Sequence, residues 1–197
     1  MKIYLASASP RRRQLLEQIG IECEQIHADI DETPLENESA ADYVQRLALE
    51  KTRIVALKLE TLTLPILGAD TAVICEEQIL GKPQDFSHAF EMLKHLSNKT
   101  HQVMTAIALY SPTKNTFQTA LQITEVSFDQ LSDQQINAYI ATNEPFDKAG
   151  GYGIQGFAAT FIKEIKGSYS GVMGLPLFET SELLKSYDCF NSKGETR

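Results

Sequence analysis

The side chains best suited to chemistry in this 197-residue chain begin with a basic turn near the N-terminus. Three consecutive arginines, residues 11–13, follow Ser7 and Ser9 where a short apolar run leads into a helix. Hydroxyls, guanidinium groups and the exposed amides of a helix N-terminus all donate hydrogen bonds to phosphate oxygens. Positive side chains in a first helical turn are electrostatically unfavourable, because the helix dipole is positive there, and a bound anion would offset this repulsion. The turn therefore predicts a phosphate site, with a solvated basic patch as the alternative.

Two carboxylates are the acidic candidates. Glu32 lies in an acidic loop, residues 29–34, and Asp70 follows an apolar run that is expected to form a strand ending there. Mg²⁺ takes oxygen ligands, usually one or two carboxylates with waters and substrate phosphates, and needs no histidine. By itself Glu32 is more typical of a solvated loop. Asp70 should be partly buried, which is costly without a partner or metal, so it is either a functional acid or half of a structural salt bridge.

Two lysines complete the charged candidates. Lys51 follows Val44 and Leu47 at helical spacing, so it should lie on the apolar stripe of its helix, as a site residue or as a snorkelling side chain. Lys82 precedes Pro83, which restrains the backbone before it and could fix the direction of the lysine. A lone lysine in a turn is usually a surface residue. The 4 histidines show no metal-ligand spacing.

Composition restricts the partners. The net charge of −8 disfavours binding to long nucleic acid or to an anionic membrane. Cys23, Cys75 and Cys189 are far apart, which favours free thiols in a reducing cytosol. No apolar stretch approaches the roughly 18 residues needed to span a bilayer. We therefore expect a cytoplasmic protein with neither nucleic acid nor membrane as a partner.

The elements that must position these side chains alternate between helices and strands. Helices are predicted at about 10–19, 39–59, 85–96, 132–141 and 176–187, and strands at about 2–6, 64–69, 72–75, 78–80, 102–110, 116–128 and 158–166. Interleaved helices favour an α/β fold, while adjacent hairpins exclude an all-parallel sheet. We expect a single domain over residues 1–197, built on a mixed twisted sheet flanked by helices.

Six segments resemble the Maf family of nucleotide pyrophosphatases, and the likeness runs over essentially the whole chain. They are residues 7–12, 43–48 leading to Lys51, 68–71, 81–83, 152–156 and 174–176. The resemblance implies a Maf/ITPase-like fold with two lobes around a deep cleft. It also implies a nucleoside triphosphate substrate, a divalent metal cation such as Mg²⁺ or Mn²⁺, and often a homodimer.

Roles for the candidates follow from the resemblance by position. Asp70 would be the catalytic base, with Glu32 and Lys82 completing the catalytic set. Glu32 and Asp70 would also bind the metal. The residues implied in binding the nucleotide are Ser7, Ser9, Arg11, Arg12, Lys51, Thr71, Lys82 and Gln155.

Base preference is implied by residues 152–156, which resemble the branch of the family that acts on dTTP and UTP. The amide of Gln155 offers a donor and an acceptor, matching the O4 acceptor and N3 donor of thymine or uracil. The 7-methyl-GTP branch tends to carry an acid near this position. Arg11 and Thr71 are also associated with base choice.

The expected function is hydrolysis of dTTP and UTP, and of modified pyrimidine nucleotides, to the monophosphate and pyrophosphate, in a house-cleaning or division-linked role. Two alternatives stay open at this point. One is a 7-methyl-GTP pyrophosphatase. The other is a nucleotide-binding regulator of septum formation without essential turnover.

Overall fold

The computed structural model describes residues 1–187. Chain contacts divide it into two compact units. The first contains Met1–Asp70, Thr105–Gln122 and the chain from Gly174 onward, and the second contains Thr71–Met104 and Ile123–Met173. Cys23 and Cys75 are free thiols, as predicted, while Cys189 lies outside the described residues.

Helices and strands alternate along the chain. In order, the elements are β1 (Lys2–Ala6), α1 (Pro10–Gln18), β2 (Glu22–Gln25), α2 (Ala40–Lys58), β3 (Ile66–Cys75), β4 (Gln78–Leu80), α3 (Phe86–Leu96), β5 (Thr100–Ser111), β6 (Thr116–Phe128), α4 (Asp133–Ile140), β7 (Ile162–Lys166), α5 (Tyr169–Val172) and α6 (Leu177–Lys185). Short 3-10 turns occupy Glu144–Asp147, Ala149–Gly151 and Phe157–Phe161. Among these residues no helix has the length and apolar character needed to cross a membrane.

The strands form one seven-stranded sheet in the order β2-β1-β3-β5-β6-β7, with β4 paired to β3. β1 runs parallel to β2 and to β3, whereas β4 is antiparallel to β3 and β7 is antiparallel to β6. The predicted mixed α/β architecture is therefore confirmed. The hairpin predicted between β3 and β4 is also present, and both residues of its turn, Glu76 and Glu77, have positive φ.

Helix ends follow the local signals in the sequence. Pro10 opens α1, and Gly20, just beyond its end, has φ +75°, a left-handed conformation that glycine adopts without steric cost. Ser9 stands at the N-cap of α1, but its side chain makes no capping hydrogen bond. Ser39 does cap α2, because its hydroxyl accepts from the amide of Asp42 at 3.1 Å.

Strand β3 corrects one expectation. The sequence predicted that it ends at Asp70, but it continues without a break to Cys75. Its residues are almost all buried, and it lies between β1 and β5, so its backbone is hydrogen-bonded on both edges. The polar residues Asp70 and Thr71 suggest a strand end in the sequence. The strand continues through them because the buried carboxylate of Asp70 pairs with Lys51, as described below.

Three other elements differ from the prediction. β2 was not predicted, since its four residues are polar and alternate between exposed and half-buried positions. β7 begins at Ile162 rather than near residue 158, because Phe157–Phe161 forms a 3-10 turn instead. The four-residue helix α5 was also not predicted.

The core of the second unit contains a buried histidine. His101 is 2% exposed, and its Nε2 lies 2.6 Å from the hydroxyl of Tyr152. The ring also makes edge contacts with Phe128 and Tyr152, at 5.1 and 5.3 Å between centroids. Nδ1 is buried and has no hydrogen-bond partner among the described residues. Burial therefore lowers the pKa of His101 to about 4.

A first prediction follows from that histidine. A pKa below the unfolded value means that the unfolded chain binds more protons, so stability falls as the pH drops from about 6.5 towards 4. At pH 5 the His101 contribution to the loss is about 2 kcal/mol. We expect His101→Gln, which cannot titrate, to lose about 2 kcal/mol less stability than the wild type between pH 7.5 and 5. Urea unfolding at both pH values measures this, and equal losses would contradict it.

Candidate active site

The candidate site of the first unit is built around one ammonium group between two carboxylates. Nζ of Lys51 lies 2.6 Å from Oδ1 of Asp70 and 2.7 Å from Oε1 of Glu32. Lys51 and Asp70 are 8% and 7% exposed, while the side chain of Glu32 is 55% exposed. The lysine therefore donates to one buried and one solvent-facing acid.

The position of Lys51 follows from the pattern of α2. Val44, Leu47, Ala48 and Val55 form the buried face of this helix, and Lys51 lies on the same face. The prediction that it lies on the apolar stripe is confirmed. The snorkelling alternative is wrong, because the ammonium ends between two carboxylates instead of reaching bulk solvent.

A glycine allows α2 to approach the strand that carries Asp70. A Cβ placed on Gly68 would lie 2.2 Å from Oγ1 of Thr52 and 2.5 Å from the carbonyl oxygen of Ala48. The Thr52 hydroxyl donates to the carbonyl of Ala48 in α2 at 2.8 Å and lies 3.1 Å from the carbonyl of Ala108 in β5. The backbones of α2 and β3 are therefore in close contact at Thr52 and Gly68. Thr52 is next to Lys51 in sequence, and Gly68 is two residues before Asp70.

Burial sets the acidity of Asp70. Desolvation raises its pKa, while the positive charges of Lys51 and Arg12 act in the opposite direction. The carboxylate is thus a stronger base than a solvent-exposed aspartate, and its negative charge is still compensated. Carboxylates with perturbed pKa values occur preferentially at functional sites.

The basic turn places one of its arginines close to these acids. The guanidinium of Arg12 donates from Nε to the carbonyl of Gly174 at 2.7 Å and from Nη1 to Oγ of Ser7 at 3.1 Å. Burial lowers the pKa of Arg12, and the charges of Asp70 and Glu32 act against that effect. Arg12 is therefore a cation held in the electrostatic field of both carboxylates.

The three arginines separate into different environments. The half-buried residues are Arg11 and Arg12, whereas Arg13 is exposed and pairs with Glu17 at 2.7 Å, one helical turn away. Oγ of Ser7 also accepts from the amide of Ser9 at 3.2 Å, which fixes the turn before α1.

Gln25 is a positioning residue that the sequence did not reveal. Its side-chain amide donates to the carbonyls of Ser7 and Ser9, at 3.0 and 3.2 Å. Gln25 ends β2, the polar strand that was not predicted, and the alternation of exposed and half-buried positions in residues 22–25 is visible only in the structure. The turn is thus held by Arg12 on one side and by Gln25 on the other.

The remaining candidates, Thr71, Lys82 and Gln155, belong to the second unit. Lys82 and Gln155 are exposed and Thr71 is half-buried. Within this unit the turn of Lys82 and the loop of Gln155 are neighbours, because the carbonyl of Gly81 accepts from the amide of Gly150 at 3.0 Å.

The end of the Gln155 loop is anchored by one acid. The carboxylate of Glu144 accepts from the amide of Phe157 at 3.1 Å and from the hydroxyl of Tyr139 at 3.3 Å. Gln155 is thus exposed, while the backbone two residues later is fixed by the hydrogen bond between Phe157 and Glu144.

Another cluster of metal-binding residue types, Cys75, Glu76 and His95, also lies in the second unit. Nζ of Lys99 lies 3.0 Å from Oε2 of Glu76 and 3.3 Å from Nδ1 of His95. An ammonium group thus already supplies positive charge to this cluster. Two members of the cluster, Glu76 and His95, therefore contact a lysine of their own unit.

Comparison with known proteins identifies the family of this chain. Residues 2–187 match the family described as Maf-like protein, and the chain belongs to the Maf family. It is 50% identical to the dTTP/UTP pyrophosphatase of Aromatoleum aromaticum, covering 94% of this chain and 95% of that protein. It is 48% identical to the dTTP/UTP pyrophosphatase of Escherichia coli K12, covering 97% and 95%. The protein of that name from Nitrosomonas europaea is 52% identical, with 93% of each chain covered.

A second prediction concerns the buried ion pair. Lys51→Met should destabilise the fold by about 2–4 kcal/mol, because it leaves the buried Asp70 carboxylate without its closest cation. Adding Asp70→Asn should recover most of this loss, because no buried charge then needs a partner. Chemical denaturation measures both changes.

The matched control is Lys58→Met, at the exposed end of the same helix, where Lys58 donates to the carbonyl of His27 at 3.0 Å. It should change stability by no more than about 0.5 kcal/mol. Equal effects at positions 51 and 58, or a double variant weaker than Lys51→Met, would contradict the buried pair.

Proposed function

We propose that this chain hydrolyses dTTP and UTP, and pyrimidine nucleotides modified on the base, to the monophosphate and pyrophosphate. The observation that carries the proposal is the pair of carboxylates, one of them buried, that converge on Lys51 beside Arg12. Relatives that are about half identical over nearly the whole chain bear the name dTTP/UTP pyrophosphatase. The family name and the local chemistry therefore support the same reaction.

The donor set suits a hard divalent cation. Glu32 and Asp70 present carboxylate oxygens to a common position, at 2.6–2.7 Å from one ammonium nitrogen, and oxygen ligands are what Mg²⁺ and Mn²⁺ prefer. We propose that these two residues hold the cation. When bound, it would neutralise charge on the phosphate oxygens.

Asp70 is proposed as the general base. Its raised pKa lets it accept a proton from a water molecule that attacks the α-phosphate, with pyrophosphate as the leaving group. Because Asp70 lies within a strand, its carboxylate can orient that water from a fixed position.

The cationic residues are proposed to bind the triphosphate. The guanidinium of Arg12, which its hydrogen bond with Ser7 already orients, would donate to phosphate oxygens. Lys51 would donate to a phosphate oxygen once the bound metal cation balances the negative charge of Glu32 and Asp70. The other proposed phosphate contacts are Ser7, Ser9, Arg11 and Lys82. Glu32 and Lys82 complete the catalytic set, while Thr71 and Gln155 are proposed to contact the base.

A third prediction tests the base. Asp70→Asn should keep the fold but lower pyrophosphate release from dTTP by at least about 100-fold, because the amide cannot accept the proton. The control is Glu17→Gln, an acid that pairs with Arg13 at the surface of the same unit. Near-normal turnover by the Asp70 variant would reject the role of general base.

The same assay separates catalysis from regulation. An enzyme releases many pyrophosphate molecules per chain when metal is present, whereas a nucleotide-binding regulator binds one nucleotide and releases none. Stoichiometric binding without release by the wild type would overturn the proposed function.

A fourth prediction concerns base choice. Gln155→Glu removes the amide donor that suits O4 of a pyrimidine, so kcat/KM for dTTP and UTP should fall about 10–100-fold relative to guanine nucleotides. A panel that includes 7-methyl-GTP measures the change. Gln130→Glu, another exposed glutamine of the second unit, is the matched control. An unchanged ranking of nucleotides would exclude Gln155 from base recognition.

Location and assembly are also proposed at this level. The free thiols of Cys23 and Cys75 support a reducing cytoplasm as the working compartment. The homodimer rests on the resemblance to the family. Light scattering coupled to size-exclusion chromatography tests it, and a mass of one chain at micromolar concentration would contradict it.

A further inference from the structure

The loop that carries Glu32 has no regular secondary structure between Gln25, the end of β2, and Ala40, the start of α2. Without the regular backbone hydrogen bonds of a helix or strand, such a loop would by itself allow the carboxylate of Glu32 many positions. Yet Oε1 of Glu32 lies 2.7 Å from Lys51. The contacts that fix the part of the loop around Glu32 come from the first two turns of α2.

Arg46 is the first of these contacts. Its Nε and Nη2 donate to the two carboxylate oxygens of Glu38, at 2.6 and 2.7 Å, in a fork. Nη2 also donates to the carbonyl of Thr33, at 3.2 Å. Oε2 of Glu38 in turn accepts from the amide of Leu35 at 3.0 Å. One ion pair thus ties the loop to the helix at two separate places.

The pair is well suited to a permanent contact. The side chains of Arg46 and Glu38 are 20% and 7% exposed. The guanidinium lowers the pKa of Glu38 to about 2, so this carboxylate remains ionised at every pH at which the protein would work.

Tyr43 is the second contact, and it touches the functional residue itself. Its hydroxyl donates to the main-chain carbonyl of Glu32 at 3.0 Å. Tyr43 is half-buried, and its phenolic O–H is a hydrogen-bond donor to this carbonyl. The guanidinium of Arg46 lies 5.7 Å from the centre of the Tyr43 ring, so the two contacts support each other.

We propose that Tyr43 and the Arg46–Glu38 pair are positioning residues that hold the main chain of Glu32 so that its carboxylate meets a divalent cation together with Asp70. This inference rests on the proposed function, because it assigns a purpose to the metal role of Glu32. The clamp, meaning Tyr43, Arg46 and Glu38, holds the main-chain carbonyls of two consecutive residues, Glu32 and Thr33. The clamp contacts only the main chain of this segment, so the carboxylate of Glu32 stays available to contact Lys51.

The test measures Mn²⁺ binding to the protein without nucleotide, by electron paramagnetic resonance of the unbound ion. Residues that orient metal ligands typically change affinity by about 10–100-fold when altered. Arg46→Met should raise the Kd about 10-fold, and Tyr43→Phe, which removes only the hydroxyl, about 3-fold. Arg46→Lys should lie between the wild type and Arg46→Met, because a lysine keeps the charge but not the fork.

A double-variant cycle and a control separate positioning from general stability. Glu38→Gln combined with Arg46→Met should weaken Mn²⁺ binding no more than Arg46→Met alone, because both remove the same clamp. Arg53→Met removes another arginine of α2 that also lies over an aromatic ring, that of Phe117 at 5.5 Å. It should leave the Mn²⁺ affinity unchanged, and Tm is measured for both variants so that each affinity is compared at a temperature at which the protein is folded.

Two outcomes would overturn the clamp. One is wild-type affinity in both Arg46→Met and Tyr43→Phe, and the other is a wild-type chain that binds no Mn²⁺. Pyrophosphate release is measured in parallel. A wild type that binds Mn²⁺ in a clamp-dependent way but releases no pyrophosphate would refute the proposed function and leave the clamp standing.

Discussion

The compensation of charge at Lys51 is the interaction on which the site depends. A buried carboxylate such as Asp70 is unfavourable by itself, and the penalty grows with every water removed. One ammonium that serves Asp70 and Glu32 together, supported by the charge of Arg12, makes the arrangement tolerable. Two carboxylates and two cations therefore lie close together in the first unit, so the charge of each acid is balanced within the site.

The backbone makes that compensation geometrically possible. Gly68 and Thr52 let α2 lie against β3 at a distance that any larger side chain at position 68 would prevent. Arg12 then joins the turn before α1 to Gly174, a residue 162 positions away in sequence. The contact at Gly68 positions Lys51 and Asp70, and the contact with Gly174 orients Arg12 for its proposed role in binding phosphate.

Sequence patterns predicted the features that depend on local periodicity. The burial of Lys51 follows from 3.6-residue spacing, and the caps at Ser39 and Ser132 from short motifs. The strand end assigned to Asp70 was wrong, because hydrophobicity cannot reveal that a distant lysine compensates a mid-strand acid. Gln25 escaped notice because its strand is short and polar. The contacts of Gly68 and Arg46 depend on tertiary approach, which periodicity does not contain.

The two acids differ in how firmly their backbones are held, and this difference affects which ions can be accommodated. Asp70 projects from the interior of a ten-residue strand that is paired on both edges. Glu32 projects from a loop, and its longer side chain has one more rotatable bond. In the proposed reaction the strand would fix the distance from Asp70 to the attacking water, whereas the side chain of Glu32, on a main chain held by the clamp, would rotate to follow the ionic radius. A site of this kind should accept ions of different size without moving its nucleophile.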